Sequence, residues 1–525
     1  MASLWFIYLI TLICICATLK YLLSSNNNKK TSKLPPGPLN IPILSSLQWL
    51  RRSISDFEPI LKNLHSKYGP IITLQIGHSK TIFIASSNLA HQALIQNGAS
   101  FAARPPAPET SKFISSNQHN IVSSSYGSLW RLLRRNISYQ ILHPSKFKSY
   151  SPSRKRVLQT LINNLKTQSE SCTLPILVGD HFQYAIFSLL VLMCFGEKLD
   201  EEKIKEIQSM LRALLLGFSR FDILNFFPRL GKILFKNLWR ELYQLRSNLE
   251  DVLLPLIKAR QESHVHQKNH QEDDQKSVDV VAYVDTLLNL ELPDEGGRKF
   301  DEHEIVTLCI EILNAGTDTT ATALQWIMAN LVKHQDIQSK LVDEIKQVLA
   351  LKSTDDDDNE IKEEDVEKMP YLKAVVLEGL RRHPPGHFLF PHAVTEDVNL
   401  DGYVIPKDAT VNFMVAEIGW DPKLWKDPME FKPERFLSGG EAGSEELFDI
   451  TGTREIKMLP FGAGRRICPG VNLALLHLGY FVANLVREFE WTVGIGEEVD
   501  LSEKQEFFVV MKNPPFVHIS PRRIK

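Results

Sequence analysis

The stretch PFGAGRRICPG, Pro460–Gly470, sets one cysteine, Cys468, after two arginines and before a proline-glycine turn. A zinc site needs paired ligands such as C-x-x-C or H-x-x-x-H, and the nearest other cysteine is Cys309. A catalytic nucleophile needs a base close in space, which spacing alone neither supplies nor excludes. A third option is a single thiolate ligand to a large planar cofactor. Gly462, Gly464 and Gly470 would let the backbone approach a flat ring. Arg466 would pair with a carboxylate on that ring, and Phe461 would pack beside the sulfur and keep water out. A structural cysteine in a tight loop also fits, and on this segment alone all of these readings stay open.

The rest of the chain narrows the frame. Its 525 residues can bury a sizeable core. A formal net charge of -2 points away from nucleic acid as a partner. The six cysteines, Cys14, Cys16, Cys172, Cys194, Cys309 and Cys468, are widely spaced and include no C-x-x-C. A disulfide framework needs a denser pattern in a small secreted chain, so most of these read as buried apolar cysteines in a reducing compartment.

The N-terminus is of another kind. Residues 2–19, ASLWFIYLITLICICATL, carry no charge, and the apolar run reaches Leu23. That is the length a helix needs to cross about 30 Å of hydrocarbon. A cleaved signal peptide starts basic, whereas here the basic residues Lys20, Lys29, Lys30 and Lys33 follow the span, and no acid precedes Asp56. The expectation is a single-pass anchor over 1–23 with the remaining chain in the cytosol. A basic and proline-rich hinge spans 24–45. Its KLPPGPLNIP, Lys33–Pro42, reads as a stiff spacer. One catalytic body fills 46–525.

Within that body, IITLQIGHSKTIFIAS (71–86) predicts short strands around a turn. From about 125 to 350 the pattern is mostly helical. Polar surface loops are expected at His264–Ser277, whose three histidines could bind metal but fit a solvated loop better, and at Ser353–Glu360, which lacks the spaced glycine and terminal glutamate of an EF-hand. A long helix is predicted from Asp301, with Asp301 as N-cap and Glu304 completing a capping box. Apolar residues at Ile305, Leu308, Ile312 and Leu313 follow at helical spacing. NAGTDTT, Asn314–Thr320, is an odd centre for a buried helix. Glycine costs about 1 kcal/mol there against alanine, and threonines bond backbone carbonyls and bend helices. Either the segment tolerates a blemish, or something approaches the backbone closely at Gly316.

The full pattern F-x-x-G-x-R-x-C-x-G, at Phe461, Gly464, Arg466, Cys468 and Gly470, resembles the haem-binding signature of the cytochromes P450. The other family motifs follow in order: WRLLR with Trp130 and Arg134, AGTDTT at Ala315–Thr320, EGLR with Glu378 and Arg381, and PERF with Arg435. The likeness runs from the apolar N-terminus to the C-terminus and is strongest to plant A-type members, family eighty-nine, subfamily A. It implies a mainly α fold with small β-sheets (α+β) behind a single N-terminal transmembrane helix. It implies haem b with Cys468 as the iron's axial ligand. Trp130, Arg134 and Arg466 would bind haem propionates, and Phe461 would pack beside the sulfur. His392 stands where many members have a propionate-binding arginine, and as a histidine it would donate a hydrogen bond. Glu378, Arg381 and Arg435 would form a buried charge network.

The resemblance also implies an NADPH- and dioxygen-dependent monooxygenase in the endoplasmic reticulum membrane. Asp318 would relay protons, Thr319 would hold a water or hydroxyl at the bound oxygen, and Gly316 in an opened helix would leave room for dioxygen. Ala315, His387, Phe388, Leu389 and Phe508 would line a pocket for a hydrophobic small molecule of plant specialised metabolism or pigment catabolism. No flavin or nicotinamide fingerprint is present, so electrons would come from an NADPH-cytochrome P450 reductase, docking on Arg131, Arg135, Lys457 and Arg465. Two other readings share the fold: reductase-independent rearrangement of fatty-acid hydroperoxides, and a non-enzymatic membrane haem protein. Retention of both Asp318 and Thr319 speaks against each.

Overall fold

The computed structural model describes residues 33–38, 54–76, 79–171, 175–196, 198–226, 228–269, 281–352, 360–442, 448–494 and 496–522. They group into two compact units. The smaller is Met1–Pro105 with Phe388–Ile418 and Asp449–Ile467, and the larger is Pro106–His387 with Gly419–Phe448 and Cys468–Lys525.

In the smaller unit, helix α1 (Ile54–Tyr68) leads into β1 (Ile71–Ile76) and β2 (Ser79–Ile84). The two strands pair antiparallel, Ile71 opposite Ile84, as the alternating β-branched residues predict. Two strands from far along the chain complete the sheet: β3 (His392–Ala393) and β4 (Thr410–Phe413). The order is β1-β2-β4-β3, with β2 and β4 parallel, Ile82 beside Val411. Successive side chains of a strand point to opposite faces. Ile71, Ile82, Ile84, Val411 and Phe413 accordingly pack in one cluster with Leu94, Phe101 and Leu459. Ile72, Leu74 and Phe83 pack on the other face with Leu61 and Met414.

The segment read as a spacer is docked over its first residues. Thr73 N donates to Pro36 O at 2.8 Å, and Val404 N donates to Lys33 O at 2.9 Å. The Lys33 ammonium lies 5.5 Å from the centre of the Tyr403 ring. A Cβ on Gly37 would sit 2.0 Å from the Thr73 carbonyl oxygen, so only glycine fits there. The expected anchor over 1–23 lies outside the described residues. Among the described residues no helix is long and apolar enough to cross a membrane.

The larger unit is helical. Its main elements are α2 (Ser128–Gln140), α3 (Gly179–Phe195), α4 (Glu201–Phe221), α5 (Lys236–Asn269), α6 (Glu302–Lys333), α7 (Pro370–Arg382) and α8 (Val471–Glu488). A short hairpin, β5 (Glu503–Gln505) with β6 (Val509–Met511), follows. Helix α5 corrects one expectation. It continues through Asn269, so the polar stretch from His264 begins as helix rather than loop. The loop expected at Ser353–Glu360 lies outside the described residues except for Glu360.

Helix α6 starts with the predicted capping box. Asp301 Oδ1 accepts from Glu304 N, and Glu304 Oε2 accepts from Asp301 N, both at 2.8 Å. Leu308, Leu313, Leu324 and Ile327 are fully buried along it. The helix does not open at Asn314–Thr320. Thr317 and Thr319 donate their hydroxyls to the carbonyls of Leu313 (2.6 Å) and Ala315 (2.7 Å), four residues back. Gly316 serves packing. A Cβ there would lie 2.8 Å from Leu190 Cδ1 of α3, so the glycine marks the close approach of two helices rather than room for dioxygen.

Candidate active site

Cys468 lies three residues before α8, half-buried, with a free thiol. The backbone N–H of Gly470 donates to its Sγ at 3.3 Å. Burial pushes the thiol pKa up, while that N–H and the charge of Arg134 pull it down. The N-terminal end of an eighteen-residue helix also favours an anion there. On balance burial wins and the thiol lies above its ordinary pKa, with the Gly470 N–H and Arg134 as the groups that favour the anion. Among the described residues no group of three or more His, Cys, Asp or Glu could hold a metal ion. Arg134 comes from α2, and burial lowers its own pKa. Trp130, one turn earlier on that helix, is buried with its ring centre 5.1 Å from Tyr126.

In the smaller unit, the glycine loop before the cysteine is tightly packed. Gly464 has φ +70°, and a Cβ on it would meet Leu94 O at 2.0 Å. Arg466 Nε donates to Ala102 O at 2.7 Å, and Phe461 is half-buried. His392 is buried on β3, with Nδ1 2.7 Å from Phe101 O and its ring edge-on to Phe413. A carbonyl can only accept, so Nδ1 carries the proton. Burial lowers the ring pKa to about 3, with Arg104 and Arg466 adding repulsion. The ring is therefore neutral, Nε2 is an acceptor, and no second N–H is left for a carboxylate. Arg104, which motif matching passed over, donates Nη1 to the carbonyls of Phe390 and Pro391, both at 2.9 Å. Burial pulls its pKa down to about 10. Its signal was faint: one arginine in an unremarked FAARP.

On α6, Ala315 is exposed in the middle of an otherwise largely buried helix, and Asp318 and Thr319 are half-buried. Gln183 Nε2 of α3 donates to Asp318 Oδ1 at 3.3 Å, and Arg212 Nη1 of α4 donates to Gln183 Oε1 at 2.5 Å. Burial raises the Asp318 pKa, Arg212 opposes it, and Glu506 adds to it. Beside the carboxylate is a cavity of about 10 Å³, room for about one water, lined by Gln183, Arg212, Asn314 and Thr317.

Glu378, Arg381 and Arg435 form the expected network, all buried. Arg381 grips Glu378 through Nε (2.7 Å) and Nη2 (2.8 Å), and Arg435 Nε reaches Glu378 Oε1 at 3.3 Å. Lys432 N donates to the same oxygen at 2.8 Å. Arg435 also binds Glu441 Oε2 at 2.6 Å, which balances the two guanidiniums with two carboxylates.

The expected pocket residues are divided between the two units. His387 is buried between Glu503 Oε2, 3.4 Å from Nε2, and the Trp420 ring. Phe388 packs edge-on to Phe83 in the core of the smaller unit. Leu389 packs against the main cluster of the same unit. Phe508 meets Phe507 edge-on, and the Phe507 ring lies 5.8 Å from Phe218. Only Ala315 shares a face with Asp318 and Thr319.

Comparison with known proteins agrees with this geometry. The family model described as Cytochrome P450 matches residues 35–519. The chain is 51% identical to Cytochrome P450 89A9 of Arabidopsis thaliana over 94% of each chain. It is 31% identical to a flavonoid 3'-monooxygenase of the same plant over 94% of this chain and 93% of the other. Among solved structures, a zebra fish cytochrome P450 with abiraterone superposes with a TM-score of 0.69 at 22% identity, covering 89% of this chain and 99% of that one.

Proposed function

The chain belongs to the cytochrome P450 family, haem-thiolate oxidoreductases fed by a redox partner, and from that premise we propose an NADPH- and dioxygen-dependent monooxygenase of plant specialised metabolism or pigment catabolism. Its substrate is a hydrophobic small molecule. The observation that carries this reading is the placement of Asp318 and Thr319 beside Ala315, the exposed point of α6. Haem bound through a cysteine sulfur supplies electron-rich iron that favours O–O cleavage. Inserting one oxygen atom consumes one dioxygen, two electrons and two protons, and releases one water.

The chain's own residues divide the work. Cys468 would hold the haem iron through its sulfur, and the Gly470 N–H and the Arg134 charge oppose the upward shift that burial gives its thiol. In the larger unit Trp130 and Arg134 would donate to a propionate. In the smaller unit Arg466 and Arg104 are the cations suited to that task, with Phe461 as apolar packing and His392 as a neutral neighbour. The Thr319 hydroxyl donates to Ala315 O, which leaves its oxygen free to accept from a water. Asp318 holds its proton to higher pH than an ordinary aspartate because it is buried, a shift in the direction that suits a group passing protons on. Electrons would come from an NADPH-cytochrome P450 reductase. Residues 1–23 would hold the protein in the endoplasmic reticulum membrane with its catalytic body in the cytosol.

The test uses microsomes holding this protein and a plant reductase, fed tissue extract under isotopically heavy dioxygen, with and without NADPH. Products carrying one heavy oxygen only with NADPH support monooxygenation and identify the substrate. Unlabelled products formed without NADPH point to hydroperoxide rearrangement and remove the roles given to Asp318 and Thr319.

A further inference from the structure

Strands β5 and β6 are joined by a turn at residues 506–508, and the hairpin is fixed at its base. Glu503 Oε1 lies 2.8 Å from His383 Nδ1, and Glu503 Oε2 lies 3.4 Å from His387 Nε2. Arg382 Nη1, at the end of α7, is 3.5 Å from Glu503 Oε1. An ionised carboxylate only accepts, so His383 Nδ1 carries the proton. Burial holds the His383 pKa down to about 4, so the ring is neutral. That ring stacks on Trp326 of α6, with centres 3.9 Å apart. Backbone ties complete the hold. Val509 N donates to Pro385 O at 2.8 Å, and Trp326 Nε1 donates to Val509 O at 3.2 Å.

A hairpin tied on both strands leaves its turn little freedom. Glu506 N donates to Phe508 O at 3.0 Å within the turn. The Phe507 ring lies 5.8 Å from Phe218 of α4, and β6 packs along α6. The turn therefore sits between α4 and α6, the helices that carry Arg212 and Asp318. Glu506 is the acid in that turn. Its partly buried carboxylate pairs with Lys504 Nζ at 2.7 Å. Each element around Asp318 brings one polar group to it: neutral Gln183 from α3, Arg212 from α4 and Glu506 from the hairpin, with Lys504 behind Glu506. Burial is the larger cause of the raised Asp318 pKa. The Glu506 charge adds to it, and Arg212 opposes it. A like charge nearby favours the protonated form of a carboxyl.

We propose that Glu506 is a positioning residue for the proton on Asp318: the clamped hairpin presents its carboxylate to Asp318, and Lys504 sets how much of that charge Asp318 feels. The two neighbours of Glu506 then act in opposite senses. Removing the acid leaves Asp318 with less repulsion, while removing the lysine leaves it with more. The clamp at Glu503 matters because a loose turn would let the carboxylate swing into water, where its field is screened. The inference rests on the monooxygenase reading, in which Asp318 passes a proton on.

The experiment follows the protonated carboxyl of Asp318 by infrared spectroscopy across pH in the haem-loaded protein, its band identified by loss in Asp318→Asn. The variants are Glu506→Gln, Glu506→Asp and Lys504→Gln. Labelled product formed from tissue extract is followed over the same pH range. The expected result is a pair of opposite shifts. Glu506→Gln moves the midpoint to lower pH, Lys504→Gln moves it to higher pH, and Glu506→Asp, which keeps the charge, stays nearest the wild type. Between the wild-type and Glu506→Gln midpoints, product should be several-fold lower in that variant, and below both it should match. A Glu506→Gln midpoint equal to that of the wild type overturns the proposal. Shifts of the same sign in Glu506→Gln and Lys504→Gln overturn it as well, since that is a change in burial and not in charge. Shifted midpoints with an unchanged product profile also overturn it, because the charge then does not reach the reaction. The two readings fail separately. Where no NADPH-dependent product forms, the monooxygenase reading falls and the titration still decides the coupling. Where labelled product forms and the midpoints coincide, this inference alone falls.

Discussion

At the scale of single residues, Asp318 gives the sharpest expectation. Burial raises its pKa above the ordinary aspartate value. A carboxyl raised in the folded state costs stability above its folded pKa, and that cost disappears as pH falls to the unfolded value. Asp318→Asn should therefore raise the melting temperature at pH 7, with the gain shrinking as pH is lowered through the acid range toward the ordinary carboxylate pKa. In the same variant product formation should fall roughly 10²-fold, the typical contribution of a positioned proton donor, with NADPH use falling less. A melting series across pH and a product-to-NADPH ratio check both parts. Residue types in motifs made Asp318, Thr319 and Cys468 legible from sequence. The tautomer of His392 was not, because it depends on Phe101 O, a carbonyl nearly three hundred residues away in the chain.

Elements were read well where their causes are local. The capping box at Asp301 and the strands at 71–84 need only neighbouring residues, and both formed as expected. Gly316 was legible as an anomaly, but the sequence could not say that its bare face turns to Leu190. Gly464 is a stronger case, because the obstacle is backbone. Gly464→Ala must hold an L-residue at φ +70° against Leu94 O. The left-handed penalty of about 1–2 kcal/mol and overpacking of about 1–3 kcal/mol together predict a loss of roughly 2–5 kcal/mol. Denaturant unfolding and haem content per chain should both fall. Glu378→Ala leaves Arg381 buried without its carboxylate, while Arg435 keeps Glu441. The expected cost of about 3–5 kcal/mol is a large share of a domain's typical stability of about 5–15 kcal/mol. Yield of soluble, haem-loaded protein should collapse, and measuring it against Glu441→Ala shows which pairing matters more.

For the whole molecule, the family and its helical class were legible because five motifs recur in order, while the division of the chain between two units was not. The smaller unit draws on three separate stretches, and no periodicity announces that residues 392–413 will join 71–84. Electron supply also belongs to this scale. Arg131 and Arg135 are exposed on α2. Reversing both to glutamate should slow reduction of the iron by the reductase at low salt, with the difference closing as ionic strength rises. Stopped-flow reduction across a salt series checks this, and a flat series places the docking face elsewhere. The parallel pairing of β2 with β4 has a consequence during synthesis. Strand β2 leaves the ribosome first, and its partner edge, Thr81–Ile84, must wait until Thr410–Phe413 emerges. At about 5–20 residues per second that delay is on the order of tens of seconds. Throughout it the nascent chain carries an open strand edge of the kind that invites mispairing, so faithful birth of this protein depends on what shields that edge while translation runs on.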